Sequence, residues 1–170
     1  MLKLPAGNQN CWAEFSLLLE HELEFCPGKL YYLKGNNGSG KSTFIKKCLF
    51  PALERIRTQN YRIYLEQQFH LQAYAIKAQA SILNPEQRLV TQHDCLDYLF
   101  QDLWQAYTLE PRPVYVISDE CHYLEYIHNQ LCAMDIPFCL IYSIHGDNPL
   151  PQPFITYNFE PVTLQQSIIR

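Results

Sequence analysis

The sequence predicts an α/β fold, a mainly parallel sheet flanked by helices, on three observations. The stretch Gly35-Asn36-Asn37-Gly38-Ser39-Gly40-Lys41-Ser42-Thr43 satisfies G-x-x-x-x-G-K-[ST], the pattern of a phosphate-binding loop. It lies between a β-type run, Lys29 to Lys34, and a helical run, Thr43 to Phe50. Two apolar runs, 114–117 and 138–144, suit strands buried on both faces of a parallel sheet. Between strands, apolar residues recur at helical spacing in 69–83 and 95–107, as crossover helices require.

Taken in order, residues 1–11 read as irregular, with Pro5, Gly7 and two asparagines. The partial alternation of 12–25 reads as one or two strands, with helix the competitor for 13–24. Cys26-Pro27-Gly28-Lys29 is a turn leading into the loop strand. Pro51 should end or kink the helix after the loop, with Ala52 to Arg57 as a continuation. Tyr61 to Leu65 is a β-rich strand, and Leu71, Tyr74, Ala75 and Ala78 mark a helix over 69–83, broken by Asn84-Pro85. Cys95, Leu96, Leu99, Leu103, Trp104 and Tyr107 share one face of a further helix, whose N-cap is Thr91 or Asp94. Core packing explains these aromatics better than a cofactor. Residues 122–133 look helical, and 154–159 look like an edge strand after a proline-rich segment.

Composition narrows the function classes. At 170 residues, 48% hydrophobic and 18% charged, the chain is expected to fold as one domain, residues 1–170. A net charge of −4 does not indicate nucleic-acid binding. No run has the character of a signal peptide or a transmembrane span, which points to the cytoplasm. Seven cysteines without a C-x-x-C pair read as reduced, mostly buried thiols rather than a disulfide framework or zinc site.

The loop carries the first half of a site. Its glycines let successive N–H groups turn inward around a polyphosphate, so Asn36, Asn37, Gly38, Ser39, Gly40 and Thr43 would line the phosphates. Lys41 would reach the β- and γ-phosphates, and Ser42 would offer its hydroxyl to Mg²⁺. The expected fold is thus that of a P-loop nucleoside triphosphatase, with a nucleoside triphosphate and Mg²⁺ as ligands. The second half is Asp119-Glu120, at the end of an apolar strand and so at the edge where open α/β sheets place ligands. Asp119 would hold Mg²⁺, and Glu120 would polarise the attacking water.

Four features in this order resemble the ATP-binding cassette (ABC) ATPases: the phosphate loop after Pro27-Gly28-Lys29, then Tyr64-Leu65-Glu66-Gln67, Asp119-Glu120, and Ser143-Ile144-His145. The resemblance spans about residues 12–147. It implies that Gln67 touches Mg²⁺ and senses the γ-phosphate, that Glu120 is the catalytic base, and that His145 is the switch histidine. It also implies that Trp12, with Phe15 the alternative, stacks on adenine, and that Cys121 to Glu125 is the D-loop. It implies a small N-terminal antiparallel β part and a helical segment, here reduced. The family's Leu-Ser-Gly-Gly-Gln signature is missing, and Val90-Thr91-Gln92-His93-Asp94 stands in its place. The activity implied is ATP binding and hydrolysis coupled to a conformational change in a partner. That partner would be a second copy or another protein, membrane subunits included, which would hold the chain at the inner face of a membrane. A module that binds nucleotide with little hydrolysis satisfies the same residues. A small-molecule kinase would draw its phosphate clamp from Arg55, Arg57, Arg62 and Arg88. A helicase lobe would read Asp119-Glu120-Cys121-His122 as its D-E-C-H box.

Overall fold

The computed structural model describes residues 1–12 and 14–170. Ala13, part of the run read as strand or helix, lies outside the described residues. The elements run β1 (Leu2–Leu4), β2 (Gly7–Trp12), β3 (Phe15–Leu19), β4 (Leu23–Phe25), β5 (Lys29–Lys34), α1 (Lys41–Phe44), a π turn (Ile45–Leu49), α2 (Phe50–Arg55) and a 3₁₀ turn (Arg57–Gln59). They continue β6 (Tyr61–Leu65), α3 (Phe69–Leu83), α4 (Gln92–Leu109), β7 (Val114–Asp119), α5 (Leu124–Ala133), β8 (Phe138–Ser143), β9 (Ile155–Thr163) and β10 (Gln166–Ile169).

Eight strands form one sheet in the order β2-β3-β10-β9-β5-β8-β7-β6, and β1 with β4 makes a separate antiparallel pair. The five strands from β9 to β6 are all parallel. This is the α/β P-loop architecture, with β8 inserted between the loop strand β5 and the acidic strand β7. Parallel register brings the four C-terminal ends of β5, β6, β7 and β8 to one edge. Leu65 pairs with Ser118, and Asp119 with Ser143.

Alternation along the central strands divides the core in two. Tyr115 and Ile117 of β7, with Cys139 and Ile141 of β8, face the helices around the loop and the β1–β4 pair. Val114 and Val116, with Leu140 and Tyr142, face α3, α4 and α5. Every residue of β7 is buried, so the continuous apolar run does mark a strand covered on both faces.

Several expectations need correction. Residues 1–11 are not irregular: β1 forms because Leu2 and Leu4 turn inward against Leu23 and Phe25, and β2 pairs with β3. The segment 154–159 is not an edge strand, since β9 lies between β5 and β10, the latter unforeseen from the sequence. The helix after the loop does continue past Pro51, though only to Arg55, and a π turn precedes the proline. Trp104 stands 47% exposed although its neighbours Leu103 and Phe100 are buried. The cysteines are less buried than expected: Cys95, Cys121 and Cys139 are buried, while Cys11, Cys26 and Cys48 are partly so and Cys132 is exposed. Both N-cap candidates of α4 are used. Thr91 is the cap and accepts from the Asp94 N–H, and Asp94 accepts in return from the Thr91 N–H, a capping box.

Candidate functional site

The phosphate loop leaves β5 with a close approach and a left-handed turn that only glycine tolerates. A Cβ on Gly35 would lie 2.5 Å from Ser39 Oγ and 2.7 Å from the Phe159 carbonyl oxygen. Gly40 caps α1 at φ +94°. Lys41 opens α1 and is only 5% exposed; its ammonium donates to the carbonyls of Gly35 at 2.8 Å and Asn36 at 3.1 Å. A buried cation curled inside its own loop, 3.6 Å from Glu120 Oε1, is the centre of positive charge of the cleft. The same loop encloses Ser39 Oγ, which is buried and has no hydrogen-bond partner among the described residues.

Asp119 is held from three sides. Ser42 Oγ and Ser143 Oγ both donate to its Oδ1 at 3.0 Å, and the Tyr64 hydroxyl donates to Oδ2 at 3.3 Å. Burial, and next the charge of Asp119, push the Tyr64 phenol well above its ordinary range, so it stays a proton donor. Glu120 follows in the left-handed region at φ 54°, a backbone state that L residues avoid unless their surroundings enforce it. Here the Glu120 N–H donates to both the carbonyl and the hydroxyl of Ser143, at 3.1 and 3.2 Å. The turn aims the Glu120 carboxylate back over the loop, where its Oε2 lies 2.6 Å from His145 Nε2.

Lys41, Ser42, Glu120 and His145 line a cleft of about 490 Å³ that also takes in Trp12, Phe15, Asn37, Gln67 and Leu164. Gln67 is exposed, in the turn between β6 and α3, and reaches the cleft from the side opposite Trp12's strand. Asn36 stands exposed at the mouth of the loop, Gly38 and Gly40 face the cleft, and Thr43 lines its floor beside Ser42. Trp12 is 55% exposed, and the Lys47 ammonium sits 3.8 Å from its ring centroid, a cation–π contact. The structure thus gathers at one sheet edge the candidate residues named from the sequence. Sequence reasoning missed the supports: Ser143 and Tyr64 on Asp119, Lys47 on Trp12, and Leu164 on the cleft wall. Ser143 and Tyr64 are each the penultimate residue of a predicted strand, just before the histidine or glutamine of its motif. That position was the one signal for them.

The segment in the signature's place lies elsewhere. Val90, Thr91 and Gln92 line a separate hollow with His70, Tyr74 and Lys77. The Asp94 N–H in the first turn of α4 is taken up by the Thr91 hydroxyl, and the backbone N–H groups of Thr91 and Val90, just ahead of the helix, hold the Asp94 carboxyl below its usual value.

No protein-family model matches the chain, and no curated protein matches its sequence. Among solved structures it is similar to C. elegans PCH-2, at 15% identity and TM-score 0.43 over 76% of this chain and 34% of that one. It is similar to Drosophila ORC bound to DNA at 13% identity and TM-score 0.46, over 78% and 37%. Rhizobiales Trip13 matches at 14% identity and TM-score 0.41, over 78% and 46%. The chain spans less than half the length of each. All three are P-loop ATPases of the AAA+ group, and likenesses this slight carry no weight for function.

Proposed function

We propose that this chain binds Mg-ATP in the Lys41 cleft and hydrolyses it slowly, as an ABC-type ATPase that passes the nucleotide state to a partner. The observation that carries the reading is the contact between Ser42 Oγ and Asp119 Oδ1 at 3.0 Å, across the lysine-bearing loop. Two hard oxygen ligands beside a buried ammonium are the donor set that Mg²⁺ and a polyphosphate require. The orphaned Ser39 hydroxyl inside the loop fits the same ligand. Ser42 and Asp119 would hold Mg²⁺, with Gln67 at the cleft wall as a further oxygen ligand; the ion would neutralise charge developing on the phosphoryl oxygens.

The chain's own groups then divide the chemistry. Lys41 holds the phosphates as a point charge. Glu120 takes the proton of the attacking water, and His145, hydrogen-bonded to Glu120 Oε2, fixes that carboxylate in line. Ser143 and Tyr64 fix Asp119. Trp12, opposite the loop, offers a face for adenine. Slow turnover follows from the segment ahead of α4: Val90 to Asp94 has no glycine for close backbone approach, and the Val90 and Thr91 N–H groups are spent on the Asp94 carboxylate rather than on a γ-phosphate. A partner protein, or a second copy, would supply that cover.

The test is titration of Mg-ATP by calorimetry into the parent and Lys41→Ala. The parent should bind and the variant should lose all measurable affinity while keeping its melting temperature within a few degrees. Equal affinity in the two would remove the phosphate site from the reading.

A further inference from the structure

The strand that carries Trp12 and the π turn that carries Lys47 meet at two thiols. Cys11 Sγ and Cys48 Sγ lie 4.0 Å apart, joining residues 37 positions apart in the chain. Each is the immediate neighbour of a residue of the cation–π pair whose Trp12 lines the cleft: Cys11 precedes Trp12, and Cys48 follows Lys47. Neither thiol is fully buried. The π turn, Ile45–Leu49, sets this arrangement, because a π turn takes an extra residue and so re-aims the side chains within it.

We propose that Cys11 and Cys48 are a redox modification site: they form a reversible disulfide that lowers the affinity of the neighbouring cleft for nucleotide. A disulfide needs its sulfurs about 2.05 Å apart, and closing that gap from 4.0 Å takes small side-chain rotations and a slight approach of two elements already in contact. The oxidant is a small-molecule disulfide, RSSR. Burial raises the Cys11 thiol, an effect that the contact with Cys48, a backbone hydrogen bond from Leu17 and the Lys47 charge only partly offset; its thiolate attacks one sulfur of RSSR, forming a mixed disulfide and releasing RS⁻. The Cys48 thiol then loses its proton and attacks the Cys11 sulfur, expelling the second RS⁻. The two cysteines lose two electrons, RSSR gains them, and the two protons leave on two RSH. Burial pushes the Cys48 thiol up to about 12, which makes it the resolving partner rather than the first attacker.

The consequence for the cleft follows from Trp12's exposure. A ring 55% exposed must close onto a base to stack on it, and a bond at residue 11 ties its strand to the π turn. Stacking of one base on an aromatic ring is worth a factor of about fivefold or more in affinity. That is the loss expected on oxidation. The inference rests on the nucleotide reading above.

The full chain is treated with oxidised glutathione or with dithiothreitol, mapped as non-reduced peptides, and titrated with a fluorescent ATP analogue. The expected result is a Cys11–Cys48 cross-linked peptide in the oxidised sample. Affinity should fall about fivefold or more, recover with dithiothreitol, and stay constant in Cys11→Ser. Glutathione on the exposed Cys132 without any Cys11–Cys48 peptide would overturn the proposal. So would a complete cross-link with unchanged affinity. Reduced parent protein that binds no nucleotide would instead overturn the proposed function, and the peptide map would still decide whether the two thiols pair.

Discussion

Replacing Ser143 with alanine tests the corner on which the Asp119-Glu120 pair is built. Ser143 is fully buried, and its hydroxyl donates to Asp119 Oδ1 at 3.0 Å while accepting from the Glu120 N–H at 3.2 Å. The second bond is not lost outright, since the Glu120 N–H keeps the Ser143 carbonyl at 3.1 Å. The first is a bond to a charged, buried carboxylate, worth about 1.5–3 kcal/mol. Asp119 retains Ser42 and Tyr64, so no naked charge is left and the loss should sit near about 2 kcal/mol. For a chain of this size that lowers the melting temperature by about 4–8 °C. Tyr64→Phe removes a longer, partly exposed bond of 3.3 Å and should cost about 1 kcal/mol or less. Urea titrations and calorimetry on both variants read these values. A Ser143→Ala protein within ~0.5 kcal/mol of the parent, or a Tyr64→Phe protein the less stable of the two, would refute the account of how Asp119 and the left-handed Glu120 are held.

Glu120→Gln should keep Mg-ATP affinity while turnover falls by roughly 10²–10⁴-fold, the contribution of a positioned base. His145→Ala should impair turnover more than binding, and single-turnover assays on both decide it. The purified parent should turn over well below ~1 s⁻¹, which steady-state rates across a protein concentration series will show; fast turnover independent of concentration would mean no partner is needed. The Asp94 carboxyl is held below its ordinary value of 3.8, so its cap stabilises α4 above that value and is lost as pH falls through the lower folded value. Melting curves of parent and Asp94→Asn should therefore differ by a constant gap above about pH 5 and converge in more acid solution.

The phosphate loop, the two buried strands and the helices marked by apolar spacing over 69–83 and 95–107 were determined by sequence alone, for a local reason. Glycine at Gly35 and Gly40 answers to backbone conformation and close approach, and a run such as Val114 to Ile117 answers to burial on both faces. Both pressures act through the chain's own neighbours and leave a pattern that can be read. The order of strands was not legible. That β9 sits inside the sheet, that β10 joins it, and that Leu2 and Leu4 make a strand depend on pairings with distant segments: β9 with β5, β10 with β3, and β1 with β4. The candidate site divides the same way. Its motif residues stood out because phosphate chemistry demands those residue types at those spacings. Ser143 and Tyr64 did not, because a serine or tyrosine at a strand end serves many purposes, and only parallel register sets these two against Asp119. The nearness of Cys11 to Cys48 is likewise a product of tertiary structure: thirty-seven residues separate them, and the π turn before Pro51 that aims one at the other leaves no mark in the hydrophobic pattern.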